Sequence, residues 1–181
     1  MTAVAAGFWS QHGVHTLALA GPVVLFALLG LGADIRSWWR RGHRFPRWSL
    51  THSAAALSVA AAAIHLGVCP EHFHEATLYG VFFAVAAAAQ FGWAALQVAR
   101  PARWQLTGGI LGNASLVLLW AITRTVGVPL GPGAGEVERA GVWDVLSVAC
   151  EIGLIALCAV LIAQGRRHSD VPESTLGALA A

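Results

Sequence analysis

Five long apolar stretches divide the chain at roughly regular intervals. Short polar segments separate these stretches, which cover residues 14–33, 50–69, 77–97, 107–127 and 142–163. The third helix is expected to start before its apolar stretch, and so to cover residues 70–97. Each stretch is about as long as a helix must be to cross the ~30 Å hydrocarbon core of a bilayer. Helix is expected because lipid cannot satisfy the open edges of a β-sheet, and the alternation of a membrane barrel is absent. The pattern predicts an all-α integral membrane bundle of five transmembrane helices, with residues 1–168 as one domain.

The arginines between these stretches lie almost all on one side of the predicted membrane. Only Arg139 lies clearly on the other side, and the nine that share a side are Arg36, Arg40, Arg41, Arg44, Arg47, Arg100, Arg103, Arg166 and Arg167. Basic residues accumulate in cytoplasmic loops, so the N-terminus is expected outside and the C-terminus, with a flexible tail at 169–181, in the cytoplasm. No basic residue precedes the first stretch, unlike in a cleaved signal peptide, so that stretch is expected to be retained.

Composition narrows the class of protein. Hydrophobic residues make up 57% of the chain and charged residues 11%, whereas a soluble domain is typically about 25% charged. All eleven basic residues are arginine, which is typical of a high-GC bacterial genome and, with the apolar stretches, indicates a bacterial cytoplasmic membrane. A formal net charge of +2 is too small to indicate nucleic acid. The three cysteines, an odd number, argue against a disulfide framework.

Polar side chains are densest between the second and third stretches. Three histidines, two glutamates and one cysteine fall within residues 65–75. Pro70 is expected to open the third helix, because proline lacks an N–H and fits the first turn of a helix. Glu71 and Glu75 would then lie near the positive end of the helix dipole, and the group would sit at the outer membrane surface.

This group is the first candidate site. Imidazole and carboxylate ligands suit copper, zinc or iron, and a bound haem is a further possibility. The spacing matches no strong metal signature, so an exposed polar loop is the alternative. The predicted metal ligands are His65, Glu71, His72 and Glu75, with His12, His15 and Cys69 as possible additional ligands.

Charged residues inside the predicted helices form the second candidate site. A charge at the bilayer centre costs about 2.5–3.5 kcal/mol on insertion scales, so Arg124 is expected to pair with Asp144 or Glu151. If Asp144 takes that role, Glu151 needs another partner, for which His65 is suited. Such pairs either fix the register of the helices or line an outward-opening pocket. That pocket would hold a metal, a small anion or a lipid headgroup, or would relay protons.

Amide and small side chains predict close contact between helices. Gln90 and Asn113, deep in the predicted membrane, are expected to hydrogen-bond from helix to helix. Gly108 and Gly112 form a G-x-x-x-G pair, which lets two helix backbones approach closely. The pair predicts either tight packing within the bundle or an interface between copies of the chain.

From His65 onward the chain resembles a set of small multi-pass membrane proteins of high-GC bacteria. The resemblance covers about the last two-thirds of the chain and leaves His12 and His15 outside it. It implies a membrane bundle and no particular chemistry. The elements that carry it are the segments 70–72, 80–83, 112–114, 123–129 and 131–132, together with His65, Gln90, Trp120, Asp144 and Glu151.

These features favour a binding protein with a transition metal or haem on its extracytoplasmic face, for metal handling or as a subunit of a redox complex. One alternative is a membrane-embedded metal-dependent enzyme acting on a lipid-like substrate, with Glu151 or Glu75 as general base. Another is a scaffold or transporter subunit without such a ligand. The expected partners are membrane lipids and either a further copy of the chain or another membrane subunit, and not nucleic acid.

Overall fold

Four long helices make up most of the described chain. The computed structural model describes residues 20–25, 27, 29, 30, 32, 33, 35, 36, 40 and 46–169. The helices are α1 (Arg47–Glu75), α2 (Thr77–Ala99), α3 (Arg103–Thr125) and α4 (Val142–Ser169). Within these residues no strand occurs, and all four helices are long and apolar enough to cross a membrane. Residues 20–25 are also helical, which agrees with part of the first predicted stretch. Of the predicted tail at 169–181, Ser169 is the last residue of α4 and the rest lies outside the described residues.

The boundary between the second and third predicted helices is wrong by six residues. Pro70 lies inside α1 instead of opening the next helix, and the break comes at Ala76, which is extended at φ −161° and ψ 139°. Proline lacks the N–H that would bond to the Leu66 carbonyl, and its ring crowds that carbonyl, but a helix can tolerate both effects when neighbouring helices support it. α1 therefore has 29 residues, about 43 Å of helix, and the whole polar group at 65–75 belongs to it.

Small residues place α1 at the centre of the bundle. Alanines at 54, 55 and 60–63 are buried, so neighbouring backbones approach α1 closely. α1 packs extensively against α2 and α4, and α3 packs against α4. The shared core also includes residues of the helical segment near position 20, and its members include Ala20, Val24, Leu57, Ile64, Leu154, Cys158 and Leu161.

Successive helices run antiparallel, because the start of α3 contacts the end of α4 through Arg103 and Gly165 while its end contacts the start of α4 through Arg124 and Asp144. The bundle therefore has two distinct ends. One end, called the arginine end here, carries Arg47, Arg100, Arg103 and Arg166. There the Arg103 guanidinium donates to the Gly165 carbonyl at 3.0 Å, and Arg47 donates to the Leu161 carbonyl at 3.5 Å. The opposite end, called the loop end, carries the connection 126–141 between α3 and α4.

α2 and α3 touch at few points, and those with hydrogen bonds lie toward the arginine end. Trp93 Nε1 donates to the Gln105 carbonyl at 2.8 Å, and Gln90 Nε2 donates to Asn113 Oδ1 at 3.1 Å. The second bond confirms the predicted contact between the two amides. Gly109 makes room for the Trp93 ring, because a Cβ at that position would lie 2.7 Å from it. Toward the loop end, the two helices separate.

The predicted packing role of the G-x-x-x-G pair within the bundle is wrong for the described part of the chain. Gly108 and Gly112 are exposed, and a Cβ at either position would meet nothing within 4 Å. The neighbouring Gly109 makes the close helix contact instead. Helical phase explains the difference, since adjacent residues on a helix point about 100° apart. An interface between copies of the chain stays a prediction.

The connection 126–141 folds back over the end of α3. Gly127 ends α3 with φ +73°, and its N–H bonds to the Ile122 carbonyl at 3.0 Å. Farther along, the Glu138 N–H bonds to the Thr123 carbonyl at 3.1 Å. Tyr79 Oη on α2 donates to the Leu130 carbonyl at 2.7 Å. These bonds hold the connection across the loop end, above the space between α2 and α3.

Candidate binding pocket

A cavity of about 270 Å³ lies in the loop-end half of the bundle, where α2 and α3 separate. All four helices and the connection 126–141 contribute to it. Its lining is mainly apolar, with walls that include Ile64, Val68, Leu78, Phe82, Leu116 and Leu119. The cavity is therefore suited to a hydrophobic group, and its few polar side chains decide what else it can bind.

A histidine and a glutamate form the buried polar part of this lining. His65 of α1 is 7% exposed and Glu151 of α4 is 2% exposed. His65 Nε2 and Glu151 Oε1 are 3.1 Å apart. The structure thus brings together the two residues that the sequence suggested as partners. His65 lies ten residues before the end of α1, about 15 Å below the loop end, so it is deeper than a helix ending at residue 69 implied.

Glu151 is also bound to α2, and through α2 to α3. Gln90 Nε2 donates to Glu151 Oε1 at 3.3 Å as well as to Asn113. Asn113 Nδ2 in turn donates to the Gly109 carbonyl at 2.8 Å, and Ser58 Oγ donates to the Gln90 carbonyl at 2.9 Å. The network joins four helices around one carboxylate oxygen, which supplies this buried group with hydrogen-bond donors.

A serine beside the pair does not make a nucleophilic triad. Ser147 Oγ lies 3.3 Å from His65 Nε2 and 3.5 Å from Glu151 Oε1. In a catalytic triad the base uses one ring nitrogen for the nucleophile and the other for the carboxylate. Here Ser147 and Glu151 both approach the same nitrogen, so the arrangement fits a hydrogen-bonded proton site and not acyl transfer.

Arg124 forms the charged rim of the pocket, at the loop end. Its NH2 group donates to Asp144 Oδ2 at 2.9 Å, so the predicted pair between these two residues is present. Its NH1 group bonds to Glu138 and, at 2.9 Å, to Thr123 Oγ1. Asp144 also accepts the Gly141 N–H at 2.7 Å, at the start of α4. Two carboxylates thus face one guanidinium, which leaves no surplus positive charge for an anion.

The four predicted metal ligands divide between two places. His65 faces Glu151 in the bundle, whereas His72 Nδ1 lies 3.0 Å from Glu75 Oε2 near the surface. Both imidazoles pack on the Phe83 ring, with ring centroids 5.4 Å and 4.1 Å away. Glu71 is exposed.

Of the additional ligands, Cys69 donates its thiol to the Gly80 carbonyl of α2 at 3.7 Å. His12 and His15 lie outside the described residues. Across the part of the chain that is described, no three His, Cys, Asp or Glu side chains are grouped to hold a metal ion. A transition metal or haem at this group stays a prediction.

Three features of the pocket were missed from the sequence. Ser147 lies one turn before Glu151 on the same face of α4, and that spacing could have identified it. Glu138 reaches Arg124 only because the connection folds back, which no local pattern reveals. Phe83 meets both histidines because α1 continues through Pro70 and aligns them on one face seven residues apart.

In comparisons with known protein families, with curated proteins and with solved structures, nothing matches this chain.

Proposed function

We propose that this protein is an integral protein of a bacterial cytoplasmic membrane that binds a small, largely apolar molecule in the pocket between α2 and α3. The observation that carries the proposal is a cavity of about 270 Å³ with mainly apolar walls. The buried His65–Glu151 pair supplies the polar part of its lining. An apolar cavity of about 150 Å³ holds benzene, so this one has room for roughly ten non-hydrogen atoms.

The buried His65–Glu151 pair indicates that the pocket has a role other than helix packing. Ionisable side chains inside a membrane bundle are costly, and they mark ligand or proton sites more often than structural ones. Packing alone would be served by an apolar pair at positions 65 and 151. His65 and Glu151 can instead hold a proton or orient a polar group of the ligand.

The proposed orientation follows from charge. The arginine end would face the cytoplasm under the positive-inside rule, and the loop end would face outward. The pocket would then lie in the outer half of the membrane, with Arg124, Asp144 and Glu138 at its outer rim.

A space-filling substitution tests the proposal. Val148→Trp places a large side chain in the lining of the pocket, whereas Val145→Trp changes an exposed position on the same helix. Wild type and Val145→Trp, purified in mild detergent and extracted with organic solvent, are expected to release one compound at about one molecule per chain by mass spectrometry. Val148→Trp is expected to release much less.

Equal amounts from all three proteins would contradict the proposal, because the compound would then not occupy the pocket. Circular dichroism and size-exclusion chromatography establish that Val148→Trp is folded. If it is not, Leu116→Trp, with the exposed Leu118→Trp as its control, repeats the comparison on α3.

A further inference from the structure

We infer that the ligand of this pocket is a lipophilic cation, an ammonium group on an apolar frame, which reaches Glu151 from the bilayer by passing between α2 and α3. This inference rests on the proposed function and adds to it the chemical class of the ligand and its route.

The route of the ligand follows from which sides of the pocket are covered by the protein and which side is open. At the loop end, the Tyr79–Leu130 hydrogen bond and the Arg124–Glu138 ion pair hold the connection 126–141 over the cavity. On the side, the hydrogen bonds described between α2 and α3 are Trp93–Gln105 near the arginine end and Gln90–Asn113 at the middle of the two helices. The lining side chains at the α2 edge are apolar and exposed, with Leu78 at 56% and Phe82 at 37%. An exposed apolar edge suits an opening that faces lipid.

The charge of the ligand follows from the ionisable groups around the cavity. The carboxylates of Glu138, Asp144 and Glu151 line it, against one guanidinium, that of Arg124. The two histidines in the lining already face carboxylates, His65 with Glu151 and His72 with Glu75. Among the described residues that line the cavity, three carboxylates thus face a single permanently charged base, so the lining carries an excess of acidic groups.

The walls of the cavity add an independent reason. Five of the lining residues are aromatic, and aromatic faces attract ammonium groups; they are Tyr79, Phe82, Phe83, Trp120 and Trp143. The aromatic walls are therefore suited to a group that carries positive charge.

A set of isosteric probes tests the charge. The probes are protonated 1-aminotetralin, tetralin, 1-tetralone and tetralin-1-carboxylate, which share one bicyclic frame. Their binding is measured by equilibrium dialysis in phosphatidylcholine nanodiscs, with empty nanodiscs subtracted. Wild type is expected to bind the ammonium roughly tenfold more tightly than tetralin or tetralone, and the carboxylate least of all.

Glu151→Gln tests the assigned counter-charge, because it keeps the shape and the hydrogen-bonding oxygen but removes the charge. The preference for the ammonium is expected to fall to within about twofold of tetralin. The matched control is Glu71→Gln, at an exposed carboxylate outside the pocket, and it should keep the wild-type preference. Should Glu151→Gln fail to fold, Phe82→Leu, at a half-exposed wall position, is expected to weaken the ammonium but not tetralin.

A chain-bearing probe tests the route. An aminotetralin with a dodecyl chain on a ring carbon far from the amine is expected to bind at least as tightly as its parent, because the chain can leave between α2 and α3. Binding of the parent without binding of the dodecyl compound would overturn the lateral route.

The remaining outcomes separate the two proposals. If no probe binds wild type more than Val148→Trp, the proposed function fails, and this inference with it. If tetralin or the carboxylate binds as tightly as the ammonium, or if Glu151→Gln keeps the preference, the pocket still binds apolar molecules but the cation assignment is overturned.

Discussion

Glu151 is the shared acceptor of the buried polar network in the bundle. It is 2% exposed, and its Oε1 lies near His65 Nε2, Gln90 Nε2 and Ser147 Oγ. A buried acceptor that loses its partners, or partners that lose their acceptor, cost about 1–3 kcal/mol. The carboxylate is therefore expected to stabilise the fold as well as to serve the pocket.

Replacing this carboxylate is expected to reduce stability in a graded way. Glu151→Ala removes the acceptor that the His65 ring and the Gln90 amide share, and Gln90 keeps only its bond to Asn113, so the free energy of unfolding should fall by about 2 kcal/mol. Glu151→Gln keeps an acceptor oxygen and should lose less. Both are measured by unfolding in mixed detergent and dodecyl sulfate micelles. Glu71→Ala, the same change at an exposed glutamate, should stay within about 0.5 kcal/mol of wild type, and an equal loss there would contradict the role given to the Glu151 network.

At the scale of an element, the connection 126–141 depends on one side chain of the helix that precedes it. Arg124 binds Glu138 near the end of the connection and Asp144 at the start of α4, so it holds the C-terminal part of the segment against α3. Two of the glycines that let the segment turn back, Gly127 and Gly131, have φ of 73° and 82°, values that other residues adopt only with strain.

Removing the guanidinium is expected to loosen this connection without unfolding the bundle. Arg124→Gln leaves two carboxylates close together without a cation, so amide hydrogen exchange in 126–141 should rise roughly tenfold while exchange in α1 stays unchanged. Hydrogen–deuterium exchange with mass spectrometry measures both regions. Arg139→Gln changes an exposed arginine of the same connection and should have no such effect. A uniform rise across all helices would show instead that Arg124 holds the bundle together.

The contact between α2 and α3 gives a matched pair of adjacent glycines. A Cβ at Gly109 would lie 2.7 Å from the Trp93 ring, whereas a Cβ at Gly108 would meet nothing. Gly109→Ala is expected to lower the free energy of unfolding by about 1–3 kcal/mol, because the ring must move away from its bond to Gln105. Gly108→Ala should be neutral or stabilising by up to about 1 kcal/mol. The reverse order in micelle unfolding would exclude Gly109 as the contact point.

For the whole molecule, the orientation in the membrane is the first property to measure. Single cysteines at Gly133 and Pro101 lie at opposite ends of the bundle, and both positions are accessible. The native cysteines Cys69, Cys150 and Cys158 are buried and should not react. With a membrane-impermeant maleimide on intact cells, Gly133→Cys is expected to be labelled and Pro101→Cys to be labelled only after lysis. The opposite result would reverse the proposed topology and place the pocket in the inner half of the membrane.

Much of the architecture followed from one-dimensional patterns. The spans at 107–127 and 142–163 correspond to α3 and α4, and the bond between Gln90 and Asn113 was expected from their depth. The pairing of Arg124 with Asp144 was expected because a charge in lipid needs a partner. The boundary at Pro70 failed because proline is permitted both in the first turn of a helix and, when neighbours support it, inside one.

The candidate site was less accessible to such reasoning. Clustering along the chain suggested that His65, Glu71, His72 and Glu75 belong together, but α1 sends some of its side chains to the interior and others to the surface. His65 instead meets Glu151, which is 86 positions away. Glu138 reaches Arg124 because the connection 126–141 folds back at its glycines. The local sequence does not reveal which side chain of such a connection will lie next to the arginine.

By itself, the sequence determined the helical character of the chain, the approximate spans and which end carries the arginines, because hydropathy and charge act on each segment separately. Only the tertiary structure decided that α2 and α3 separate to leave a cavity and that Glu151 is the shared acceptor of the buried network. It also decided that the Arg124 guanidinium forms ion pairs with two carboxylates, those of Glu138 and Asp144. These properties depend on distances between helices and on helical phase, which are set by packing of the whole bundle and not by any one segment.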